Sequence, residues 1–184
     1  IEAFRHDNGT YEVWVDFGRE RTGIDAIAWA KEVEELGVGE ILLTSINREG
    51  LGVGFDLELT KKVSSSVSIP VIACGGAGNT KDFVDVVHDA SADAVAAASV
   101  FHYNYAKPVD SYTMQFDKME LRMGESIDSG NIDFLKEGYG GVRSVTVTPC
   151  SVNEVKAALA KSDIPVRQVE DCLLYTSPSP RDRY

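Results

Sequence analysis

The stretch "SIPVIACGGAGNTKDF", residues 68–83, decides the fold class of this chain. An apolar strand at 70–74 runs into a turn that contains three glycines, and the turn runs directly into the start of a helix. Glycines at 75, 76 and 78 permit positive φ and let another molecule approach the backbone closely. A strand, a glycine-rich turn and a helix in this order predict one unit of a parallel α/β sheet, with room for a ligand at the turn.

Neighbouring segments repeat this unit. The run "EILLTS" (40–45) predicts a buried strand, and Asp56 is placed to cap the helix that follows its glycine-rich loop. After the GGAG turn, apolar residues at helical spacing predict a helix that begins at Asn79 or Thr80. The run "DAVAAASVF" (93–101) predicts a third buried strand. Strands buried on both faces and separated by helices indicate an α/β fold with a parallel sheet or barrel.

Both ends of the chain add elements to this pattern. The run "TYEVWVDF" (10–17) alternates apolar and polar residues and predicts a half-exposed strand. A helical pattern then covers residues 24–37 and stops at Gly37. Far downstream, Ser151 and Glu154 have the spacing of a capping box and predict a last helix.

Two segments do not follow the strand and helix rhythm. Residues 103–149 are too many for an ordinary loop, so we interpret them as an insertion with its own helix at 115–123 and strand at 143–148. The tail at 170–184 has no periodic pattern and resembles translated adapter sequence more than native protein. We exclude that tail from the predicted fold.

Charge and composition narrow the possible partners. The 184 residues include 29 acidic and 18 basic side chains, a net charge of −11, without a Lys or Arg cluster. This balance disfavours a nucleic-acid or anionic-membrane surface. The apolar runs are too short to cross a bilayer and no signal segment is apparent, so we expect a cytoplasmic protein. The three cysteines match no zinc or redox spacing and predict reduced, mostly buried thiols.

The carboxyl ends of the predicted strands carry the candidate binding residues, because ligands bind at that edge of α/β sheets and barrels. Gly75, Gly76, Ala98 and Ser99 follow two such strands and predict one phosphate cradle made of backbone N–H groups. The positive end of the helix after the GGAG turn would favour the same anion. The alternative is that the glycines only make a tight turn and that Ser99 caps a helix, and the residues alone leave both interpretations open.

A second group of polar residues follows the strand at 40–45. The segment "TSINREG" supplies Thr44, Ser45, Asn47, Glu49 and Gly50. If the strand continues, Ser45, Asn47 and Glu49 share one side and could bind a polyhydroxylated ligand, whereas a solvated loop is the simpler alternative. Glu2 is an acid near the end of a possible strand, and by itself it would be taken for a surface carboxylate.

Four motifs in order carry a resemblance to a known family: "GEILLTSINREG", "GFDLELTKKV", "IPVIACGGAG" and "ADAVAAASVFH". They resemble the cyclase subunit of imidazole glycerol phosphate synthase over residues 1–102, and the resemblance resumes near the last helix. It implies the C-terminal half of a (β/α)₈ TIM barrel, formed by residues 1–102 and 150–169. It also implies a lyase of histidine biosynthesis that takes ammonia from a glutaminase subunit in a heterodimer and acts on a phosphorylated ribonucleotide, without a metal or other cofactor. The implied products are imidazole glycerol phosphate and an aminoimidazole carboxamide ribotide.

The resemblance also assigns roles to individual residues. Gly75, Gly76, Ala98 and Ser99 match one of the family's two phosphate sites. Thr44 and Ser45 match polar positions that face the substrate. Glu40, at the start of its strand, matches a charged residue of the gate at the bottom face through which ammonia enters. Glu2 falls where the family has one of two catalytic aspartates, and this chain has no residue matching the partner aspartate.

Three departures from the family keep other functions open. Glu2 is one methylene longer than the aspartate, Asn47 and Glu49 replace two aspartates of the usual "SIDRDG" loop, and Asn47 cannot titrate. The insertion at 103–149 is also foreign to the pattern. One alternative is a paralogous ammonia-using barrel for surface-sugar amidation, and another is a phosphate-binding partner module without chemistry. We expect the 184 residues alone to be inactive and to self-associate through the open side of a half-barrel.

Overall fold

The computed structural model describes residues 1–105 and 147–167 of the chain. Its elements, in chain order, are β1 (Glu2–Arg5), β2 (Tyr11–Val15), β3 (Glu20–Asp25), α1 (Ala26–Glu35), β4 (Ile41–Ser45), α2 (Leu57–Ser64), β5 (Val71–Cys74), α3 (Thr80–Ala90), β6 (Ala94–Ala96), α4 (Ser99–Tyr105) and α5 (Val152–Lys161). The helix predicted at 115–123, most of the strand predicted at 143–148 and the tail at 170–184 lie outside the described residues.

The six strands of the described residues form one sheet in the order β3-β2-β1-β4-β5-β6. The four strands β1, β4, β5 and β6 are parallel neighbours. Strands β2 and β3 continue the sheet beyond β1 as antiparallel partners. Helices α2 and α3 connect β4 to β5 and β5 to β6, so the α/β class with a parallel sheet is confirmed.

Among the described residues, the helices cover only one face of the parallel strands. Along β4, Ile41 and Leu43 are buried, whereas Leu42 between them is 48% exposed. Successive side chains of a strand point to opposite faces, so Leu42 lies on an uncovered face. The expectation that these strands are buried on both faces is therefore wrong for the described chain, because helices pack on one side alone.

In residues 1–105 and 147–167, two clusters make up the core between sheet and helices. One joins β1, β4 and β5 to α1 and α2, with Ala3, Leu43 and Val63 almost fully buried. The other joins β5 to α3, α4 and α5, and Phe83 and Val155 lie in it. The amphipathic patterns in the sequence place these residues correctly, because each helix buries one apolar stripe.

The predicted helix caps are present. The Asp56 carboxylate accepts a hydrogen bond from the Leu59 N–H and begins α2. Asn79 caps α3 and forms a capping box with Asp82. Ser151 and Glu154 also form a complete capping box at α5. Side-chain acceptors at these positions satisfy N–H groups that the first helical turn leaves unpaired.

Two local predictions need correction. The strand expected at 93–101 is only three residues long, Ala94–Ala96, and Ser99 begins a helix instead. The N–H groups of Phe101 and His102 both donate to the Ala98 carbonyl, which closes the first helical turn there. Strand β3 was not predicted, because nearly all of its side chains are exposed and show no apolar period.

Candidate functional site

One row of side chains crosses the open face at the carboxyl ends of the parallel strands. Its members are in register with one another: Glu2, Thr44, Cys74 and Ala96. Cys74 and Ala96 are the last residues of β5 and β6, so this row marks the edge where ligands of α/β folds bind. Glu2 is the first residue of β1 and still lies at this height, because β1 extends past the edge.

A pocket of about 80 Å³ lies beside this row. Its lining residues are Glu49, Gly50, Gly52, Cys74, Gly75, Gly76, Ala77, Ala97, Ala98 and Ser99. Six of these residues were predicted from the sequence, namely the four of the cradle together with Glu49 and Gly50. The structure thus brings the GGAG turn, the start of α4 and the loop after β4 together around one cavity.

Backbone donors line this pocket. In the described part of the chain, no backbone acceptor is bonded to the N–H groups of Gly76, Ala77 and Ser99. Backbone N–H groups without an acceptor can bind the oxygens of an anion such as phosphate. Glu49 is exposed and also lines the pocket, and its Cα lies 3.6 Å from the position that a Cβ on Gly75 would occupy.

The start of α3 does not contribute to the anion site as expected. The Asp82 carboxylate accepts hydrogen bonds from the N–H groups of Gly78 and Asn79, at 2.7 and 3.0 Å. A protein carboxylate therefore already occupies the positive end of this helix. The expectation of an anion at the N-terminus of α3 is wrong for this reason, and the remaining donors come from the turn itself and from Ser99.

The glycines of the GGAG turn have a packing role as well. A Cβ atom on Gly76 would overlap the carbonyl oxygen of Gly54, and one on Gly78 would overlap that of Gly52. The Gly54 N–H donates to the Gly76 carbonyl at 2.8 Å. The alternative that the glycines make a tight structural contact is therefore supported, and it coexists with the pocket. A valine at Gly76 would disrupt this packing before it met a ligand.

The polar residues after β4 do not share one side. Ser45 is 3% exposed, and its Oγ has no hydrogen-bond partner among the described residues. Asn47 binds the end of β1, because its Oδ1 accepts from the Arg5 N–H at 2.6 Å and its Nδ2 donates to the Arg5 carbonyl. The expected alternation fails because a turn begins at Ser45, whose carbonyl accepts from the N–H of Glu49.

Two candidate acids lie at opposite ends of the parallel strands. The Glu2 carboxylate lies in the row at the carboxyl ends and accepts a hydrogen bond from the Gly18 N–H at 2.8 Å. Glu40 precedes β4 and is exposed at the amino ends of the parallel strands. The geometry therefore separates the candidate acid/base group from the candidate gate residue, as the resemblance implies.

Strands β1 to β3 carry a charged cluster around Glu12. Its carboxylate accepts hydrogen bonds from the Gly23 N–H, from the Arg21 guanidinium and from the His6 ring when that nitrogen is protonated. The hydrogen bond from Gly23, followed by those from Arg21 and His6, lowers the pKa of Glu12 to about 2. The charged form is thus the one that the folded hairpin stabilises.

This pKa predicts a dependence of stability on pH. Ionised Glu12 contributes its full stabilisation above its ordinary pKa of 4.5, and the contribution is lost as pH falls toward about 2. We expect the urea midpoint to decline over this window, and Glu12→Gln to remove part of the decline. Urea unfolding of both proteins at several pH values measures this. An identical pH dependence in the two proteins would contradict the role of Glu12.

Within residues 1–105 and 147–167, no group of three or more His, Cys, Asp or Glu side chains could hold a metal ion. None of the helices in these ranges is long and apolar enough to cross a membrane.

Sequence reasoning missed several pocket residues: Gly52, Cys74, Ala77 and Ala97. Cys74 could have been found, because it ends its strand in register with Thr44 on the same face. Gly52 carried no signal, since its contact with the GGAG turn depends on how the loop after β4 folds back.

The parallel strands, their helices and the pocket at the carboxyl ends are arranged as in half of a (β/α)₈ barrel. The chain belongs to the histidine biosynthesis protein family, whose model matches residues 1–107. This confirms the resemblance and the fold class that the four sequence motifs predicted.

Curated relatives carry the name imidazole glycerol phosphate synthase subunit HisF. The chain is 56% identical to that of Alkaliphilus metalliredigens over 104 residues, which are 56% of this chain and 41% of the relative. It is 62% identical to that of Pyrobaculum aerophilum over 93 residues, 50% of this chain and 36% of the relative. It is 57% identical to that of Methanopyrus kandleri over 102 residues, which are 54% of this chain and 38% of the relative. The chain therefore spans about two fifths of the length of these relatives.

Proposed function

We propose that this chain supplies the C-terminal half of an imidazole glycerol phosphate synthase cyclase barrel, a lyase of histidine biosynthesis. The names of the relatives support this, and the observation that carries it is the row and pocket at the carboxyl ends of the strands. Glu2 and Thr44 lie in the row, and beside it lie the N–H groups of Gly76 and Ala77, which have no backbone acceptor among the described residues. An acid and an anion site side by side suit chemistry on a phosphorylated ribonucleotide.

Each part of the site has a role in this proposal. The N–H groups of Gly76, Ala77 and Ser99 bind one phosphate group of the substrate. Thr44 contacts the substrate through its hydroxyl group. Glu2 transfers a proton together with a second acid that the N-terminal half supplies. No metal or other cofactor takes part.

In this proposal, ammonia enters at the amino ends of the parallel strands, opposite the pocket. Glu40 lies there, exposed, before the first residue of β4. A glutaminase subunit bound at this face as a heterodimer would release ammonia into the barrel, with Glu40 at the gate. The cytoplasmic location of such a complex stays a prediction.

A second candidate is a phosphate-binding partner module without chemistry. The observation in its favour is that Asn47, which cannot titrate, is hydrogen-bonded to the backbone N–H and carbonyl of Arg5. The pocket would still bind phosphate in such a module. Turnover with free ammonia and a phosphorylated ribonucleotide in the completed barrel separates the two, and product from a phosphorylated surface sugar instead would indicate the amidating paralogue.

The phosphate site is tested by two substitutions with opposite expected effects. Ser99→Ala should weaken binding of glycerol phosphate by about 1 to 3 kcal/mol, because it removes a hydroxyl donor to a charged group. Glu49→Gln should tighten binding roughly two- to five-fold, because it removes a partly screened like charge from the lining. Isothermal titration calorimetry measures both.

The matched control is Ser162→Ala, since Ser162 is exposed at the end of α5. It should leave the affinity for glycerol phosphate unchanged. If Ser99→Ala and Glu49→Gln also bind with unchanged affinity, the anion is not held in this pocket.

A further inference from the structure

We propose that the turn between β2 and β3 is a positioning device for Glu2, with the Gly18 N–H holding the carboxylate in place. This inference rests on the proposed acid/base function of Glu2. The Gly18 N–H lies 2.8 Å from Glu2 Oε2. Within the described residues Oε1 has no hydrogen-bond partner, so one oxygen is fixed and the other stays available for proton exchange.

The turn has a conformation that requires support. Asp16, Phe17 and Gly18 have φ values of 52, 57 and 71°, three consecutive residues in the left-handed region. Residues other than glycine are disfavoured there by about 1 kcal/mol or more each. Such strain persists only where the surroundings fix it, and it often occurs beside functional groups.

Ile46 supplies part of this support. Its side chain lies 3.3 Å from the position that a Cβ on Gly18 would occupy, so the turn rests directly on it. The Ile46 N–H also donates to the Ala3 carbonyl at 3.0 Å. The residue below the turn is thereby fixed to the strand that carries Glu2.

The rest of the hairpin makes side-chain contacts on the same face. Trp14 pairs in register with Glu2, and its ring stacks on Phe4 at a centroid distance of 4.5 Å. The Arg21 guanidinium lies 6.0 Å from the Trp14 ring and is bonded to Glu12. These contacts link β1, β2 and β3 on the face that carries Glu2, so the hairpin places its turn over Glu2.

The length of the acid fits this contact. A carboxylate one methylene shorter would end about 1.5 Å earlier, one carbon–carbon bond, and would lose the hydrogen bond to Gly18. Glutamate at position 2 and the turn at Gly18 therefore act as a unit. This gives the longer acid a structural reason that the sequence does not show.

The test compares, in the completed barrel, Gly18 with Gly9, a glycine in the turn between β1 and β2. Gly18 and Gly9 both have positive φ, but only Gly18 has neighbouring atoms within 4 Å of an added Cβ. Both alanine variants incur the same type of backbone strain. We expect Gly18→Ala to lower kcat by about 10- to 100-fold with little change in KM, as for a misplaced catalytic group. Gly9→Ala should leave both unchanged.

Ile46→Ala is a second variant that adds no backbone strain. It should also lower kcat, because it removes the side chain on which the turn at Gly18 rests. Equal kcat values for Gly18→Ala, Ile46→Ala and the parent protein would overturn the proposal.

A stability measurement separates this inference from the proposed function. Urea unfolding of Gly18→Ala, Glu2→Ala and the double variant of the chain requires no turnover. We expect Gly18→Ala to shift the midpoint less when Glu2 is already absent. Additive shifts would overturn the positioning contact even if the barrel is active, whereas an inactive parent barrel with coupled shifts would count against the proposed function alone.

Discussion

Replacing Glu2 by glutamine is expected to lower turnover of the completed barrel by roughly 10² to 10⁴-fold, the usual contribution of a positioned acid or base. Glutamine has nearly the same shape, and its side-chain oxygen can still accept the hydrogen bond from Gly18. Substrate binding and the fold should therefore be retained while proton transfer is lost. Steady-state kinetics with free ammonia measures kcat and KM of both proteins.

Glu35→Gln is the matched control, because Glu35 is an exposed carboxylate at the end of α1, away from the row. Its turnover should equal that of the parent protein. If Glu2→Gln is as active as this control, Glu2 is a surface carboxylate without a role in proton transfer.

The second large effect concerns the contact between the GGAG turn and the loop after β4. Gly78→Ala should destabilise the chain by about 3 kcal/mol or more, because the new Cβ would overlap the backbone carbonyl of Gly52 and the backbone has to move. Gly78 does not have a positive φ, so the cost is steric. Urea unfolding measures the free energy of unfolding directly.

Gly39→Ala is the control for this substitution. Gly39 also lacks a positive φ, and an added Cβ there would meet no atom within 4 Å. Its effect should stay within about 0.5 kcal/mol. If the two variants prove equally stable, the two loops are not packed as closely as described.

The sequence predicted those parts of the fold that local chemistry determines. Apolar period and capping residues located the helices α2, α3 and α5, since an apolar stripe and a cap act within a few residues. Strand β3 was missed because its stability comes from pairing with β2 and not from its own pattern. The strand at 93–101 was overextended because an apolar run alone does not distinguish a strand from a buried helix.

The candidate site was predicted where the strand ends determine it, and missed where loops fold back. Gly75, Gly76, Ala98 and Ser99 do line one pocket, because neighbouring parallel strands bring their carboxyl ends together. The Asp82 carboxylate places a negative charge at the start of α3, where the sequence had predicted a site for an anion. After Ser45 the chain forms a turn, so the strand-like alternation of side chains predicted for Asn47 and Glu49 does not continue. Only the folded hairpin brings Gly18 to Glu2, across 16 residues of sequence.

The most direct test of the proposed function is turnover by these residues joined with the matching N-terminal half of a cyclase barrel. The completed barrel should convert a phosphorylated ribonucleotide with free ammonia, and product formation is followed by chromatography. The 184 residues without that half should give no product, because in the proposed function the N-terminal half supplies the second acid and half of the barrel wall. A folded, completed barrel that binds the ribonucleotide and yields no product with ammonia would contradict the cyclase assignment.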